Sequence, residues 1–457
     1  MKIVIAGPGK LGSMLARTLV NETHDVTVID VDNVPLDKLE DVDVLPIQGN
    51  AVSINTLEEA DVKHADIVIA TMRSDECNML TCIFAKQLGA KYTIARIREP
   101  EYLKSMSFVT QELAINYVAN PERATAREIS RMLRLPFATS GVETFAKGLV
   151  EMVEMRVTGD EPFVGRPIYE VFRDRQRNNH VLFCGLKRGD ESIIPKGDTV
   201  VQAGDSLFVA SDYANLTRYL RSIGKDSKAA RDALIIGGSR TAYYLADTLN
   251  ESGVKTKLIE INQERALYLD EKLEDTTVIC ADGTDQELLI SEGLVNADAF
   301  ITLTDRDEEN LMAGLYATRV SKARVIVKNN RTSYSALLNE MGLESIVSPT
   351  QIACNIMLRA VRTRLAGEQA GVERIYQVMD GQAEAIEFVV PADAEYLGIP
   401  LSQLNVDAES LVAVIVRGNK VIVPFGSDTI EKGDHVVVMT KRTGLASLSD
   451  IFAATNR

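Results

Sequence analysis

Residues 1–16 read MKIVIAGPGKLGSMLA, and residues 26–30 read VTVID. A short apolar strand, Lys2 to Ala6, runs straight into Gly7-Pro8-Gly9-Lys10-Leu11-Gly12, and the next apolar run closes on Asp30. Gly7 permits a tight turn out of the strand. Gly9 lets the backbone come close to a pyrophosphate, and Gly12 lets the following helix pack near the strand. The helix N-terminus then offers free N–H groups and a positive dipole end to phosphates. Asp30 lies eighteen residues beyond Gly12, about where a carboxylate accepts hydrogen bonds from ribose 2′- and 3′-hydroxyls. A carboxylate there repels a 2′-phosphate, so NAD or an adenine nucleotide is favoured over NADP. A lone GxGxxG carries little weight, because glycine turns also occur in empty α/β units. Here strand, loop, helix, second strand and acid come in order.

The chain is written twice, with a period of about 230 residues. IVIAGPGKLGSMLA at Ile3–Ala16 returns as ALIIGGSRTAYYLA at Ala233–Ala246, and VTVID returns as TKLIE ending at Glu260. Gly49-Asn50-Ala51 is matched by Ala281-Asp282-Gly283, and Leu57–Ala70 by Leu289–Thr302. Asp75-Glu76-Cys77-Asn78 pairs with Asp307-Glu308-Glu309-Asn310, Arg96 with Lys328, and Asn120-Pro121-Glu122 with Ser348-Pro349-Thr350. Within each copy, apolar strands alternate with helical patterns such as Leu11–Val20, Asp75–Leu88 and Asn310–Val320. That alternation predicts a mostly parallel sheet with helices on both faces. A helix then begins near each proline, over Pro121–Leu135 and Pro349–Arg364.

A smaller unit follows each helix, and it also repeats. Pro162–Pro167 resembles Ala394–Pro400, and Ile193–Ala210 resembles Val421–Met439. Short alternating strands and Gly-Asp turns predict a compact β-rich α+β module of about 80 residues. The fold class is therefore α/β: two Rossmann-like, doubly wound parallel-sheet domains, each followed by a small α+β module. The expected boundaries are 1–120 for the first nucleotide-binding domain, 121–141 for a crossover helix and linker, and 142–224 for the first module. They are 232–348, 349–370 and 371–454 for the second set, with the polar, lysine-rich residues 224–231 as interdomain linker.

Bulk properties narrow the function. A length of 457 residues suggests two to four domains. With 46% hydrophobic and 25% charged residues, the composition is that of a soluble globular protein. The net charge of −15 argues against nucleic acid and against direct docking on an anionic membrane surface. No run of about 18 apolar residues suggests a transmembrane span. The N-terminus is already a strand and does not read as a signal peptide. Cys77, Cys82, Cys184, Cys280 and Cys354 form no CxxC and read as reduced, mostly buried thiols of a cytoplasmic protein. His24, His64, His180 and His435 are scattered and read as ordinary surface or turn residues, with no zinc-like cluster and no metal ligands expected.

Further candidates follow from position. Thr71 ends a strand at the carboxyl edge of the sheet, where ligands sit in such folds. Asn50 and Ala51 lie at the end of another strand, within reach of an adenine. Arg96 sits in a strand whose neighbours are buried, so its charge needs a partner, either a phosphate or a structural salt bridge. Asp75, Glu76 and Asn78 more simply cap the helix that follows. Ile115–Val118 reads as sheet core. The second loop, Gly237-Gly238-Ser239-Arg240-Thr241-Ala242, departs from the pattern. Ser239 puts a side chain where the backbone should meet phosphate, and Ala242 replaces the packing glycine. Glu260 and Asp282 remain, and Arg240 and Lys328 add positive charge. The second site binds a mononucleotide, binds NAD weakly or is empty, and the sequence leaves all three open.

The order of GxGxxG, acid, GNA, DExN and AR, then the G-x-P and Gly-Asp module, resembles the RCK/KTN domain family with its C-terminal companion. Two such pairs covering nearly the whole chain resemble the cytosolic regulatory subunits of Trk-type potassium uptake systems. The resemblance implies that the chain binds no potassium itself. It implies a homo-oligomeric ring, four chains giving eight nucleotide units, under a membrane potassium-translocating subunit at the inner face of the cell membrane. NAD(H) or ATP/ADP would change the ring's shape and so gate the pore. It further implies that Gly7, Pro8, Gly9, Lys10, Leu11, Gly12, Asp30, Asn50, Ala51, Thr71, Met72 and Arg96 surround the nucleotide. Lys10 would reach phosphates, including those of a neighbouring subunit, and Glu122 would lie near a subunit boundary. Gly237, Gly238, Ser239, Arg240, Thr241, Glu260 and Asp282 are the counterparts in the second copy. A second effector of the small modules rests on family analogy alone.

An NAD-dependent oxidoreductase would need a substrate domain carrying an acid/base residue near the nicotinamide. Neither 80-residue module offers a histidine in a convincing context or a Lys/Tyr or Cys/His arrangement. A pure scaffold with vestigial sites is disfavoured by the intact first loop.

Overall fold

The computed structural model describes all residues except 106–109, 111, 135–141, 173–180, 226–229, 331–340, 344, 368–370, 443, 444, 446 and 453–457. His180, Leu135 and the middle of the expected linker lie outside the described residues. The chain forms two compact units. One joins Met1–Ser130 with Ala230–Val361, and the other joins Arg131–Ala229 with Arg362–Arg457. Like is grouped with like, although the copies alternate along the sequence.

The first unit holds two parallel sheets, with strands numbered in chain order. β1 (Lys2–Ala6), β2 (Asp25–Asp30), β3 (Val44–Gln48), β4 (Ile67–Ala70), β5 (Tyr92–Arg96) and β6 (Tyr117–Ala119) pair in the order β3-β2-β1-β4-β5-β6. β12 (Asp232–Ile236), β13 (Lys255–Glu260), β14 (Thr276–Cys280), β15 (Ala299–Thr302), β16 (Arg324–Lys328) and β17 (Ser345–Val347) repeat it as β14-β13-β12-β15-β16-β17. Ile3, Val4, Ile5 and Ala6, and Ile67 to Ala70, are all fully buried. Such unbroken apolar runs suit strands covered on both faces. The helix Lys10–Asn21 buries Leu11, Leu15, Ala16 and Leu19, the three- and four-residue spacing of one helical face. The helix Asp75–Leu88 starts at Ser74, whose hydroxyl accepts from the Cys77 amide, and stops at Gly89 with φ of 122°. Its counterpart, Asp307–Val320, begins three residues before the expected start, and the helix from Pro349 continues to Gly367.

The second unit holds two antiparallel sheets of one topology. β7 (Val142–Phe145), β8 (Val150–Arg156), β9 (Leu182–Arg188), β10 (Glu191–Ile193) and β11 (Ser206–Ser211) pair as β10-β9-β11-β8-β7. β18 (Val372–Val378), β19 (Ala383–Val389), β20 (Ser410–Arg417), β21 (Lys420–Ile422) and β22 (His435–Thr440) pair as β18-β19-β22-β20-β21. The repeated Gly-Asp text is a latch. Gly204 and Gly433 take φ of 89° and 78°. The next residues, Asp205 and Asp434, are almost fully buried. Arg188 and Arg417 each donate to those carboxylates at 2.8 Å, as do the amides of Gln202 and Glu431.

The two modules are not separate packing units. Phe145, Met152, Cys184 and Phe208 of the first share one apolar cluster with Tyr376, Met379, Val414 and Met439 of the second. The Phe145 and Tyr376 rings meet edge to face at 4.8 Å, and the Tyr376 hydroxyl donates to the Thr144 carbonyl at 2.8 Å. Cys82, Cys184 and Cys354 are buried, Cys77 is partly so, and Cys280 is exposed, all as free thiols.

Phe145→Ala removes a fully buried ring and is expected to cost about 3–5 kcal/mol. Hydrogen exchange should then quicken in β18 and β19 as well as in β7 and β8. Loss of protection confined to β7–β11 would contradict a shared core.

Candidate functional site

The first loop crosses the carboxyl ends of β1 and β4, where the strand order reverses. Gly7 has φ of 88°, and a Cβ on it would lie 2.9 Å from the Met72 amide nitrogen. A Cβ on Gly12 would fall 2.3 Å from the Gly7 carbonyl oxygen and 2.9 Å from Thr71 Oγ1. Both glycines are therefore dictated by the chain's own packing. Gly9 is different, because a Cβ there meets nothing within 4 Å. It is the N-cap of the helix Lys10–Asn21 and supplies no side-chain bond to the first-turn amides. Gly9 and Lys10 are exposed, whereas Pro8, Leu11 and Gly12 are buried.

The walls are tied down by side chains. Thr71 hydroxyl donates to the Gly7 carbonyl at 2.8 Å, so its polar atom is committed to the loop. Asn78, expected as a helix cap, is instead fully buried. Its Oδ1 accepts from the Met72 amide at 2.8 Å, and its Nδ2 donates to the Met72 and Arg96 carbonyls at 3.1 and 2.9 Å. One amide side chain thus joins the carboxyl ends of β4 and β5. Asp75 accepts from the Arg98 and Glu99 amides at 2.7 and 2.8 Å, fixing the segment that follows β5. Asp30, half-buried at the end of β2, accepts from the Asp32 amide at 3.0 Å. Asn50 accepts from the Val52 amide at 3.1 Å, and the carbonyl of buried Ala51 accepts from Thr81.

Arg96 ends β5 with Nη2 3.7 Å from Glu122 Oε1. Arg96 Nε and Glu122 Oε2 are both buried without a hydrogen-bond partner. Burial pushes the guanidinium below its ordinary value, against the pull of Glu122. The pair is loose and leaves a donor unspent, an uncommon state for buried polar groups.

The second loop is closed on itself. Gly237 makes the same turn, with φ of 93°. Glu260 folds back so that its carboxylate accepts from the Gly238 amide at 2.5 Å and the Asn262 amide at 2.7 Å. Arg265 donates to the Gly238 carbonyl at 2.7 Å. Ser239 hydroxyl turns inward as a helix cap, accepting from the Ala242 amide at 3.3 Å. Asp282 accepts from the Thr284 amide and hydroxyl, and Lys328 donates to the Thr304 carbonyl at 2.8 Å. Thr241 and Ala242 are buried, and Leu303 stands where the first copy has Thr71.

Arg240, expected to add positive charge at the second loop, reaches the first domain, with Nη2 3.1 Å from Glu99 Oε2. On the same helix, Arg240–Glu251, the Tyr244 hydroxyl donates to the Arg98 carbonyl at 3.0 Å and accepts from Asn120 at 3.3 Å. Burial pushes this phenol's pKa up. No local sequence signal links Arg240 to Glu99, since 141 residues separate them. His435 also differs from its reading as an ordinary surface or turn residue: on β22, its Nδ1 lies between the carboxylates of Glu387 and Glu373.

The TrkA-N domain family matches residues 3–121 and 233–349, and the TrkA-C domain family matches residues 152–224 and 385–453. The Trk system potassium uptake protein TrkA of Vibrio alginolyticus is 32% identical over 96% of this chain and 95% of its own length. That of Haemophilus influenzae is 31% identical over 96% and 95%, and the TrkA homolog of Archaeoglobus fulgidus 30% over 99% and 100%. Among solved structures, the GsuK channel bound to NAD is similar with a TM-score of 0.63 at 19% identity, over 96% of this chain and 76% of that one. The GsuK RCK domain gives 0.61 at 20%, over 96% and 92%. At that identity the likeness is one of fold.

Asn78→Ala strands the Met72 amide and two carbonyls, and an expected loss of about 1–3 kcal/mol follows from leaving buried groups unpaired. Urea unfolding of the full chain measures it, and a variant as stable as the parent would contradict the bracing role.

Proposed function

The chain belongs to the TrkA family of Trk system potassium uptake proteins, and on that premise we propose that it senses a nucleotide at its first loop. It is a regulatory protein rather than an enzyme. The nucleotide is NAD(H) or an adenine nucleotide such as ATP or ADP. Copies of the chain assemble into a ring that acts on a membrane potassium-translocating partner.

One contrast carries this reading. The first loop keeps an uncapped helix N-terminus and a glycine that no internal contact requires, while in the second Ser239 replaces that glycine and caps the helix, and Glu260 and Arg265 bond the Gly238 backbone. At the first loop, Gly9 admits a pyrophosphate to the amides, and Lys10 adds positive charge. Asp30 takes the ribose hydroxyls, and Asn50 and Ala51 flank the adenine. Arg96, with its unspent Nε, is the nearby phosphate donor. The second loop is the weaker or empty site. No helix among the described residues is long and apolar enough to cross a membrane, which is consistent with attachment at the inner membrane face through the partner.

A ligand shifts a ring only by its differential affinity for two ring conformations. The physical link within the unit starts at Arg96 and runs through Arg98 and Glu99 to Arg240 and Tyr244 of the second domain. A dinucleotide and a triphosphate load Arg96 differently and so bias the angle between the two parallel-sheet domains.

Gly9→Val and Asp30→Ala should abolish nucleotide binding and nucleotide-dependent potassium flux with the partner, leaving the thermal melt nearly unchanged. Open space around a Cβ at position 9 is why valine should be tolerated there. Full nucleotide control in both variants would overturn the assignment.

A further inference from the structure

The second small module holds a side-chain cluster that the nucleotide reading does not use. Glu373 on β18, Glu387 on β19 and His435 on β22 stand on three neighbouring strands of one sheet. Glu387 is only 1% exposed. Its Oε1 lies 2.7 Å from His435 Nδ1, and Glu373 Oε2 lies 3.1 Å from the same nitrogen. One atom from each residue falls within 4.8 Å of the other two.

A single imidazole nitrogen carries at most one proton, yet two carboxylates converge on it. Arg374 Nε is 3.9 Å from Glu387 Oε2, and its Nη1 donates to the Thr144 carbonyl. The sheet does not need the triad to form. The equivalent positions on β8 and β11 of the first module are Glu154 and Ser206, and that sheet has the same strand order. What the triad offers is one imidazole nitrogen and two carboxylate oxygens on a rigid frame, a donor set suited to a divalent transition metal. The outer face of Glu387 is already oriented, because its Oε2 accepts from the Ala146 amide at 3.1 Å. Outer partners of this kind aim metal-binding carboxylates.

We propose that Glu373, Glu387 and His435 form a binding site for a divalent transition-metal ion, with Zn²⁺ the best chemical match. The imidazole nitrogen binds through its lone pair. The ion neutralises the two carboxylates. Since Ala146 belongs to the first module, a metal drawing on Glu387 acts on the contact between the modules.

The test is calorimetric titration of Zn²⁺, and of Mg²⁺ for comparison, into the metal-stripped full chain carrying Cys280→Ser to remove the exposed thiol. We expect one Zn²⁺ site per chain, insensitive to Mg²⁺. His435→Gln and Glu373→Gln should each weaken it at least about tenfold, and Zn²⁺ should raise the melting temperature of the parent but not of the variants. Glu373 lies at the rim and serves where the histidine variant does not fold. No Zn²⁺ uptake by the parent, or uptake unchanged in a folded variant, would overturn the proposal and leave an ion-paired histidine.

Discussion

The chain leaves β1, reverses, and starts a helix directly over the seam between β1 and β4. Everything at the first site depends on that reversal being tight. Gly7 supplies the positive φ, and Gly12 lets the helix approach so closely that a Cβ there would lie 2.3 Å from the Gly7 carbonyl oxygen. Thr71 locks the turn from β4, and Asn78 locks β4 to β5. The result is a helix N-terminus held at a fixed height above the carboxyl ends of the strands, with Asp30 on one flank and Arg96 on the other. None of these contacts needs Gly9, where an added Cβ would meet nothing within 4 Å.

Duplication kept the frame and changed what fills it. Gly12 and Thr71 become Ala242 and Leu303, an exchange that trades a hydrogen bond for apolar contact in the same space. Lengthening Asp30 to Glu260 has the larger consequence. The longer carboxylate folds back onto the Gly238 amide, an N–H that the first loop lacks because Pro8 stands there. Ser239 then caps the helix, and Arg240 is free to reach across to Glu99. The second loop thus joins two domains.

Much of the frame was legible in the sequence because its causes are local. Unbroken apolar runs marked the buried parallel strands, the glycine spacing marked the turn, and the internal repeat marked two copies of each unit. The Gly-Asp text of the small modules marked turns, though not that each aspartate is a buried latch for an arginine. What escaped the reading is held by contacts between distant residues. Asn78 looked like a capping residue because only the fold shows three backbone groups converging on it. Arg240 read only as added charge at the second loop, because Glu99 is far away in sequence. His435 looked ordinary because its carboxylate partners come from two other strands. The common core of the small modules was invisible because each module's strands look complete alone.

The central claim is that one loop senses and the other has turned inward. Calorimetric titration of NADH into the purified chain tests it most directly, read as binding stoichiometry per polypeptide. The account predicts one site at nucleotide concentrations that saturate the first loop. Two sites of similar affinity would contradict it, since they would require the Glu260 carboxylate and Ser239 hydroxyl to give up their backbone partners at no measurable cost.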